Sequence, residues 1–343
     1  MLLDKSEFHR SARRTSRCLL ASAMSNIRSF SALGCVREFH SAIGADAFNC
    51  HVVACGGEMP YPFPIIVGAP RSGTTLLRLM LDAHPELAIG PETHFLPLIS
   101  AIGNEPYARR RFFEIVVKSA SWVDFGLDQE RFQSALESIE PFNLSDACRC
   151  FYRIYAAKFD KQRIGDKTPS YALHLKAIKT LLPEARFIHL IRDGRDVALS
   201  LRNTWFSPGP DMKSQAEFWA SHVATARNSA AKCSSYMEIK YEDLVQDPET
   251  ALRKVCDHIE LPYHEAMLHH HLRAHLRLDE HQGREFRNAK ELTKEQRLQQ
   301  QRNAMRPVRV DLAFRWKQEM TGAEQACFKR YAGTLLEELG YEI

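Results

Sequence analysis

The sequence predicts an α/β protein with a P-loop-type three-layer fold, in which a mostly parallel central sheet is flanked by helices. The stretch Pro64 to Leu81, PIIVGAPRSGTTLLRLML, starts as a β-branched apolar run, breaks at a glycine-containing turn and continues with helical apolar spacing. A second apolar run, Arg186 to Ile191, also leads through a glycine turn into a helical pattern. Strand and helix patterns alternate along the chain, which favours a parallel sheet.

Composition limits the classes of function. The chain has 343 residues, 45% of them hydrophobic, and a formal net charge of +4, so it can bury a sizeable core and is not marked as a nucleic-acid binder. No uninterrupted apolar run reaches transmembrane length. The nine cysteines lack CxxC pairs, which argues against a zinc site and favours a reducing compartment.

Residues 1–60 differ from the rest of the chain. Their first part is rich in Arg and Ser and poor in acidic residues, which is typical of a disordered extension or a targeting segment, and a start site placed too far upstream is a further alternative. We expect one domain over 61–343, with a helical insertion at about 107–160. We expect a cytoplasmic location, and organellar targeting by residues 1–40 is the alternative.

The turn after the first strand has the spacing of a phosphate-binding loop. Gly68 and Gly73 give the GxxxxG interval, in which backbone N–H groups curl round an anion at a helix N-terminus. An ordinary NTPase would have Lys before Ser/Thr, but this chain has its cation inside the loop. We predict that a phosphate-like group is held without lysine and magnesium, through Arg71, Ser72, Gly73, Thr74 and Thr75.

A second anion-binding junction follows the strand at 186–191. It presents Arg192, and the helix after it carries Ser200. Arg192 alone would be read as the partner of Asp193 or Asp196. Two strand-to-helix junctions with anion-binding character in one chain are hard to explain as a coincidence.

These two segments, PRSGTT and FIHLIRDGRDVALSL, resemble those of the sulfotransferases that use 3′-phosphoadenosine 5′-phosphosulfate (PAPS). The resemblance runs from about residue 62 to the C-terminus and is closest to the tyrosylprotein and related bacterial sulfotransferases. It implies that the first loop binds the 5′-phosphosulfate. It also implies that Arg192 and Ser200, eight residues apart, bind the 3′-phosphate.

The resemblance assigns roles to four further residues. Glu92, in a GPET segment after a short second strand, becomes the general base, although alone it reads as a helix N-terminal carboxylate. Lys167, in GDKTPSY, is expected at the bridging oxygen of the phosphosulfate, although a surface lysine is the plainer reading. Tyr241 and Arg306 are expected to contact the nucleotide, with an edge-of-core tyrosine as the alternative for Tyr241.

The implied reaction is in-line attack of an acceptor hydroxyl on sulfur, with PAPS as the co-substrate. Glu92 would take the acceptor proton, and Lys167 with Arg71 would stabilise the departing phosphate. We expect no metal, because fixed cations neutralise the charge. The neighbouring histidines His271 and His275 lack an HExxH pattern.

The sequence indicates the acceptor less clearly than it indicates the donor. His94 and Leu98 stand where the tyrosylprotein enzymes are expected to have arginines that read acidic peptides, and Thr204 replaces a further arginine. A small hydroxylated molecule, a saccharide or a lipid-linked glycan is therefore placed ahead of protein tyrosine. A P-loop kinase and a non-catalytic PAPS-fold binding protein are the alternative functions. No nucleic-acid partner is expected, and a homodimer is left open.

Overall fold

A parallel five-stranded sheet forms the centre of the molecule. The computed structural model describes residue 57 and residues 59–343, except for 104, 203, 232–234 and 286–290. Most of the predicted extension 1–60 therefore lies outside the described residues. The strands, in the sheet order β2-β3-β1-β4-β5, are β1 (Phe63–Val67), β2 (Leu87–Ile89), β3 (Arg163–Lys167), β4 (Ala185–Ile191) and β5 (Tyr236–Lys240).

Every neighbouring pair in this sheet is parallel. The central strands are buried on both faces, which explains why β1 and β4 read as continuous apolar runs rather than alternating ones. The register pairs Ile65 with Phe187 and Ile89 with Gly165. The carboxyl ends of all five strands consequently meet at one edge of the sheet, where ligands bind in open α/β proteins.

Helices cover both faces of the sheet. They are α1 (Thr74–Asp82), α2 (Leu96–Ser100), α3 (Ala108–Val117), α4 (Trp122–Phe125), α5 (Gln129–Glu137), α6 (Leu144–Ala157), α7 (Leu175–Leu181), α8 (Gly194–Leu201), α9 (Met212–Ala230), α10 (Tyr241–Gln246), α11 (Pro248–His258), α12 (Ala274–Leu278), α13 (Lys294–Gln301), α14 (Trp316–Glu319) and α15 (Gly322–Glu338). Short 3₁₀ turns occupy Pro169–Leu173, Glu265–Leu272 and Val310–Leu312. None of these helices combines the length and the apolarity needed to cross a membrane.

Two hydrophobic clusters sandwich the sheet. Phe63, Ile65 and Val67 of β1 pack with side chains of α3, α5, α6 and α7, whereas Ile66 packs on the opposite face with α1, α10 and α11. Successive side chains of a strand point to opposite faces, so one short strand anchors both helical layers. The predicted α/β fold class with its mostly parallel sheet is confirmed.

Several element boundaries differ from the prediction. The apolar spacing predicts an amphipathic helix over 171–182 and a strand over 236–244. The structure has a 3₁₀ turn followed by α7 in the first stretch, and the strand in the second ends at Lys240. Pairing with β4 stops at Lys240, and Glu242 and Asp243 then supply the acidic first turn of α10. Tyr241 therefore lies at a strand-to-helix junction.

The stretch 284–306 is charged and Gln-rich, which predicts a mobile loop or an exposed helix without a core face. Its described residues are instead attached to the body of the protein. A short antiparallel pair, β6 (Arg284–Glu285) and β7 (Glu291–Leu292), precedes α13. The carboxylate of Asp124 on α4 is fully buried and pairs with the guanidinium groups of Arg284 and Arg297. A buried carboxylate with two cations supplies the attachment that the apolar pattern did not predict.

Candidate active site

The phosphate loop has the geometry that its glycine spacing predicts. Arg71 and Gly73 have φ of 74° and 94°, and α1 begins directly after them at Thr74. A Cβ on Gly73 would lie 2.4 Å from a ring carbon of Tyr241, so both the backbone angle and the close approach require glycine. The N–H groups of Leu76 and Leu77 donate to the Gly73 carbonyl, whereas those of Thr74 and Thr75 precede the first intrahelical acceptor and can serve as anion donors.

Ser72 lies inside this loop. Its side chain is buried, and its hydroxyl has no hydrogen-bond partner among the described residues. An unpaired buried hydroxyl carries a desolvation cost, which a bound anion would remove. The loop is therefore suited to an anion with strong acceptor oxygens.

The second predicted junction meets the first. Arg71 donates from Nε to Ser200 Oγ at 3.0 Å, and Arg192 donates from its guanidinium to the Arg71 carbonyl at 3.4 Å. Arg192 also lies over the Tyr241 ring, 4.5 Å from the centroid, and pairs with Asp196 at 3.3 Å. The two segments form one basic site rather than two separate ones.

Two guanidinium groups lie close together in this basic site. Burial and the neighbouring Arg192 cation lower the pKa of Arg71, and the Glu92 carboxylate opposes that shift. Arg192 Nε is buried without a hydrogen-bond partner among the described residues. Two guanidinium groups held close together with spare donor capacity favour a bidentate phosphate ligand.

Glu92 and Lys167 form the second part of the site. Glu92 follows β2 and Lys167 ends β3, and these strands are neighbours in the sheet. Lys167 Nζ lies 2.5 Å from Glu92 Oε1 and 3.5 Å from Thr75 Oγ1 on the phosphate-loop helix. The side chain of Lys167 is only 2% exposed, whereas that of Glu92 is 30% exposed. The candidate base thus faces outward beside a buried cation.

The electrostatics keep Glu92 ionised. Burial alone would raise its pKa, but the Lys167 ammonium and the His94 ring outweigh burial and hold the pKa of Glu92 well below its ordinary range. Burial lowers the pKa of Lys167, and the Glu92 carboxylate opposes that change. Beside these two partners, the carboxylate is therefore a weak proton acceptor.

A hydrogen-bonded layer beneath Glu92 was missed by the sequence reasoning. Thr93 donates from Oγ1 to Asp166 Oδ2 at 2.6 Å, and its backbone N–H donates to Thr168 Oγ1 at 3.1 Å. Tyr152 on α6 donates to the same Asp166 oxygen at 2.8 Å. Burial raises the pKa of Asp166, and these hydroxyl donors oppose the shift. This layer fixes the backbone that carries Glu92.

The C-terminal part of the chain closes over the basic site. Arg71 donates to the Gln300 carbonyl at 3.3 Å, and Arg192 donates to the Leu312 carbonyl. Neither carbonyl has a recognisable sequence signal, because any residue type provides one. Arg306, the predicted contact of this region, is exposed and makes no side-chain hydrogen bond to the other candidate residues described.

The structure thus brings most predicted residues together. Direct contacts join Arg71, Arg192, Ser200 and Tyr241 in one set and Thr75, Glu92 and Lys167 in a second. The loop at 71–75, which carries Arg71 and Thr75, links the two sets. Arg306 stands apart. In the described part of the chain, no group of three or more His, Cys, Asp or Glu side chains could hold a metal ion.

Comparison with known proteins identifies the family. A model of the sulfotransferase family matches residues 62–265, which is more than half of the chain. A protein-tyrosine sulfotransferase of Drosophila melanogaster is 29% identical over 228 residues, covering 65% of this chain and 42% of the relative. Protein-tyrosine sulfotransferase A of Caenorhabditis elegans is 29% identical over 217 residues, covering 61% and 52%. The chain spans about half the length of these relatives.

A solved structure has the same fold. The sulfotransferase domain of the Synechococcus PCC 7002 olefin synthase superposes with a TM-score of 0.54 at 23% identity, covering 84% of this chain and 97% of that domain. The sequence-based assignment is confirmed by the family match. This chain belongs to the sulfotransferase family.

Proposed function

We propose that this protein is a PAPS-dependent enzyme that transfers a sulfonate group to a hydroxyl acceptor, with Glu92 as the general base. The observation that carries the proposal is the position of the Glu92–Lys167 pair. Lys167 Nζ reaches both Glu92 and Thr75 of the phosphate loop, which places a base and a cation at the mouth of an anion site. In group transfer to an acceptor oxygen, the general base and the cation that stabilises the phosphate must lie next to each other.

The donor would occupy the basic site. Arg71, the loop N–H groups and Ser72 would hold the 5′-phosphosulfate, and Arg192 with Ser200 would hold the 3′-phosphate. The unpartnered Ser72 hydroxyl and Arg192 Nε support this assignment, because both are buried donors without a use among the described residues. Membership of the sulfotransferase family supports PAPS as the donor.

The transfer step balances with these groups alone. The acceptor oxygen forms a bond to sulfur while the bond from sulfur to the bridging oxygen breaks, and that oxygen keeps the electron pair. The acceptor proton moves to Glu92, and Lys167 with Arg71 stabilises the charge that develops on the departing phosphate. The products are the sulfated acceptor and 3′,5′-ADP.

Donor binding would also activate the base. Lys167 Nζ lies 2.5 Å from Glu92 Oε1, and this ammonium keeps the pKa of Glu92 low. An ammonium attracted to the phosphosulfate would weaken its hold on the carboxylate and so raise the basicity of Glu92. This coupling would make the base effective only when the donor is present.

The class of acceptor follows from two opposing observations. The relatives named above are protein-tyrosine sulfotransferases, which puts a tyrosyl hydroxyl first among the acceptors to test. Against it, His94 and Leu98 occupy places where the resemblance expects peptide-reading arginines, and both side chains are exposed. We therefore propose a hydroxyl acceptor and test tyrosyl peptides beside small phenols and saccharides.

Thermal stabilisation tests the donor assignment before an acceptor is known. A ligand at a hundred times its Kd adds about 2.7 kcal/mol of apparent stability, so 3′,5′-ADP should raise Tm whereas ADP and Mg-ATP should not. Transfer of labelled sulfonate from PAPS to the acceptor set, with sulfate release to water as the reference, then tests the reaction. Stabilisation by Mg-ATP alone would replace this proposal with a kinase.

A further inference from the structure

His94 contacts the candidate base but has no role in the transfer step described above. Its Nε2 lies 3.1 Å from Glu92 Oε2, on the opposite oxygen from the one that Lys167 holds. The His94 side chain is 47% exposed. The exposed His94 imidazole contacts one oxygen of Glu92, and the buried Lys167 contacts the other. His94 therefore connects this carboxylate with solvent.

The backbone holds this imidazole in place at a cost in strain. His94 has φ of 58°, in the left-handed region that non-glycine residues rarely occupy. Thr93 before it is fixed by its N–H bond to Thr168 and by Ser121, which donates to the Thr93 carbonyl at 2.8 Å. Phe95 after it is buried. Strained residues held by their neighbours on both sides concentrate at functional sites.

Glu92 is partly exposed, and the acceptor's proton must leave it after each transfer. Lys167 and His94 together occupy both oxygens of Glu92, and a carboxylate stabilised in this way keeps a proton only briefly. An imidazole is ordinarily a stronger base than a carboxylate. Of the two partners of Glu92, only His94 has a substantially exposed side chain.

We propose that His94 positions Glu92 and carries the acceptor's proton from it to solvent, an inference that rests on the proposed sulfonate transfer. After attack on sulfur, the proton on Glu92 moves to Nε2 of a neutral imidazole, which leaves a carboxylate beside an imidazolium. The imidazolium then releases its Nδ1 proton to water. No oxidant or further reactant is required. The Glu92 carboxylate is restored at once, and the imidazole, left protonated on Nε2, returns to its Nδ1–H form by exchanging protons with water before the next turnover.

Charged groups on several elements face this dyad. Lys167 and Asp166 of β3 lie on its inner side, and the fields of Arg71 and Arg284 also reach Glu92. Lys167, Arg71 and Arg284 favour the ionised form of the Glu92 carboxylate. The acceptor's proton should therefore not remain on Glu92 after the transfer.

Two substitutions separate proton transfer from positioning. His94→Gln keeps an N–H donor near Glu92 but cannot take up a proton, and His94→Ala removes both functions and leaves space for added imidazole. His269→Gln is the matched control, because His269 is also exposed and lies 3.8 Å from a glutamate, Glu265, on another element. Each variant is compared by Tm and by 3′,5′-ADP binding, which neither function should alter.

The readout is sulfonate transfer from PAPS to 4-nitrophenol, or sulfate release to water where that phenol is not accepted. We expect kcat to fall at least tenfold in both His94 variants with little change in the KM for PAPS, and the acid limb of the kcat–pH profile to be altered in His94→Gln. Added imidazole should restore part of the rate in His94→Ala only. His269→Gln should match the unaltered protein.

The outcomes distinguish this inference from the proposed function. If the unaltered protein binds 3′,5′-ADP but neither transfers nor hydrolyses PAPS, the proposed function fails. If it is active and both His94 variants keep its rate and pH profile, only the role of His94 fails. A rate loss in His94→Ala that imidazole does not restore, with full activity in His94→Gln, would reduce His94 to a positioning residue and overturn the relay.

Discussion

At the scale of single residues, the site is built from charges that are costly to bury. Lys167 is almost fully enclosed, and its ammonium is compensated by Glu92 and a distant hydroxyl of Thr75. Replacing such pairs with apolar side chains often leaves stability unchanged or improves it. Stability alone therefore does not account for this pair at the carboxyl edge of the sheet, and removing one partner would leave the other charge without its counter-charge.

Glu92→Gln is expected to remove the general base while leaving nucleotide binding intact. The amide oxygen can still accept from Lys167, so 3′,5′-ADP should bind as before while kcat falls by about 10²–10⁴-fold. Glu86→Gln, an exposed glutamate in the turn before β2, is the control. Turnover at the unaltered rate in Glu92→Gln would remove Glu92 from its proposed role.

Ser200→Ala is expected to weaken recognition of the 3′-phosphate. Ser200 Oγ accepts a hydrogen bond from Arg71 Nε. Without this hydroxyl, the phosphate would lose one hydrogen-bond donor and the Arg71 guanidinium would lose a contact that orients it. A hydrogen bond to a charged group contributes about 1.5–3 kcal/mol, so affinity for 3′,5′-ADP should fall roughly 10- to 100-fold. Calorimetric titration should show a much smaller change for 5′-AMP. Ser221→Ala, exposed on α9, should leave both affinities unchanged.

At the scale of elements, two strand-to-helix junctions and the C-terminal segment meet at one edge. β1 leads into α1 through the loop at Arg71, and β4 leads into α8 through Arg192. Because these strands are neighbours, the two helix N-termini converge. The segment around Gln300 and Leu312 covers them from above by accepting hydrogen bonds from the two arginines. Substitutions should therefore affect the loop at Arg71 and the covering segment around Gln300 and Leu312 independently of each other.

Gly73→Ala tests the loop. The positive φ and the 2.4 Å approach of the Tyr241 ring both oppose a Cβ, so the loop must shift at a cost of roughly 1–3 kcal/mol. We expect loss of 3′,5′-ADP stabilisation, measured by thermal shift. Gly322→Ala is the control, since an added Cβ meets nothing within 4 Å at the start of α15. Unchanged nucleotide binding in Gly73→Ala would contradict the loop's role.

Asp124→Asn tests the attachment of the segment that carries α13. The substitution leaves Arg284 and Arg297 without their buried counter-charge, and breaking such a contact costs about 3–5 kcal/mol. We expect a lower Tm and increased hydrogen exchange in residues 291–301. Asp257→Asn, exposed on α11, should leave both unchanged. Equal exchange in the two variants would mean that Asp124 does not hold this segment.

At the scale of the whole molecule, stability depends on groups whose charge states are fixed by burial. Asp124 and Glu92 are held ionised with lowered pKa by their cationic partners. Burial lowers the pKa of His189 to about 3, and the pKa values of His270 and His281 to about 4. All of these groups bind more protons when the chain unfolds in acid, so the whole fold should weaken as pH falls.

The loss of stability in acid should occur in two stages. The histidines lose their contribution as pH falls from their unfolded value near 6.5 towards 3–4, and the carboxylates lose theirs below about pH 4. Tm measured from pH 8 to pH 4 should therefore decline already below about pH 6.5. In His189→Phe this decline should be shallower, whereas His275→Gln, an exposed position, should follow the unaltered curve. A flat Tm between pH 6.5 and 4 would contradict the prediction.

The sequence by itself determined the parallel sheet and the two glycine-containing strand-to-helix junctions. Both depend on local patterns: a buried parallel strand is a continuous apolar run, and a phosphate loop needs glycine at fixed spacing, as at Gly68 and Gly73. Resemblance to a family added Glu92, Lys167 and Ser200. These residues lie at the ends of neighbouring strands or on the helix after one, so the topology brought them together.

Only the tertiary structure decided which groups touch. Asp124 and Arg284 are 160 residues apart in sequence, and the carbonyls that meet Arg71 and Arg192 have no side-chain identity to recognise. His94 looked like a missing arginine in the sequence, but a left-handed backbone turns it onto Glu92. Such contacts depend on the packing of distant elements and on single backbone angles, and neither leaves a periodic signal in the chain.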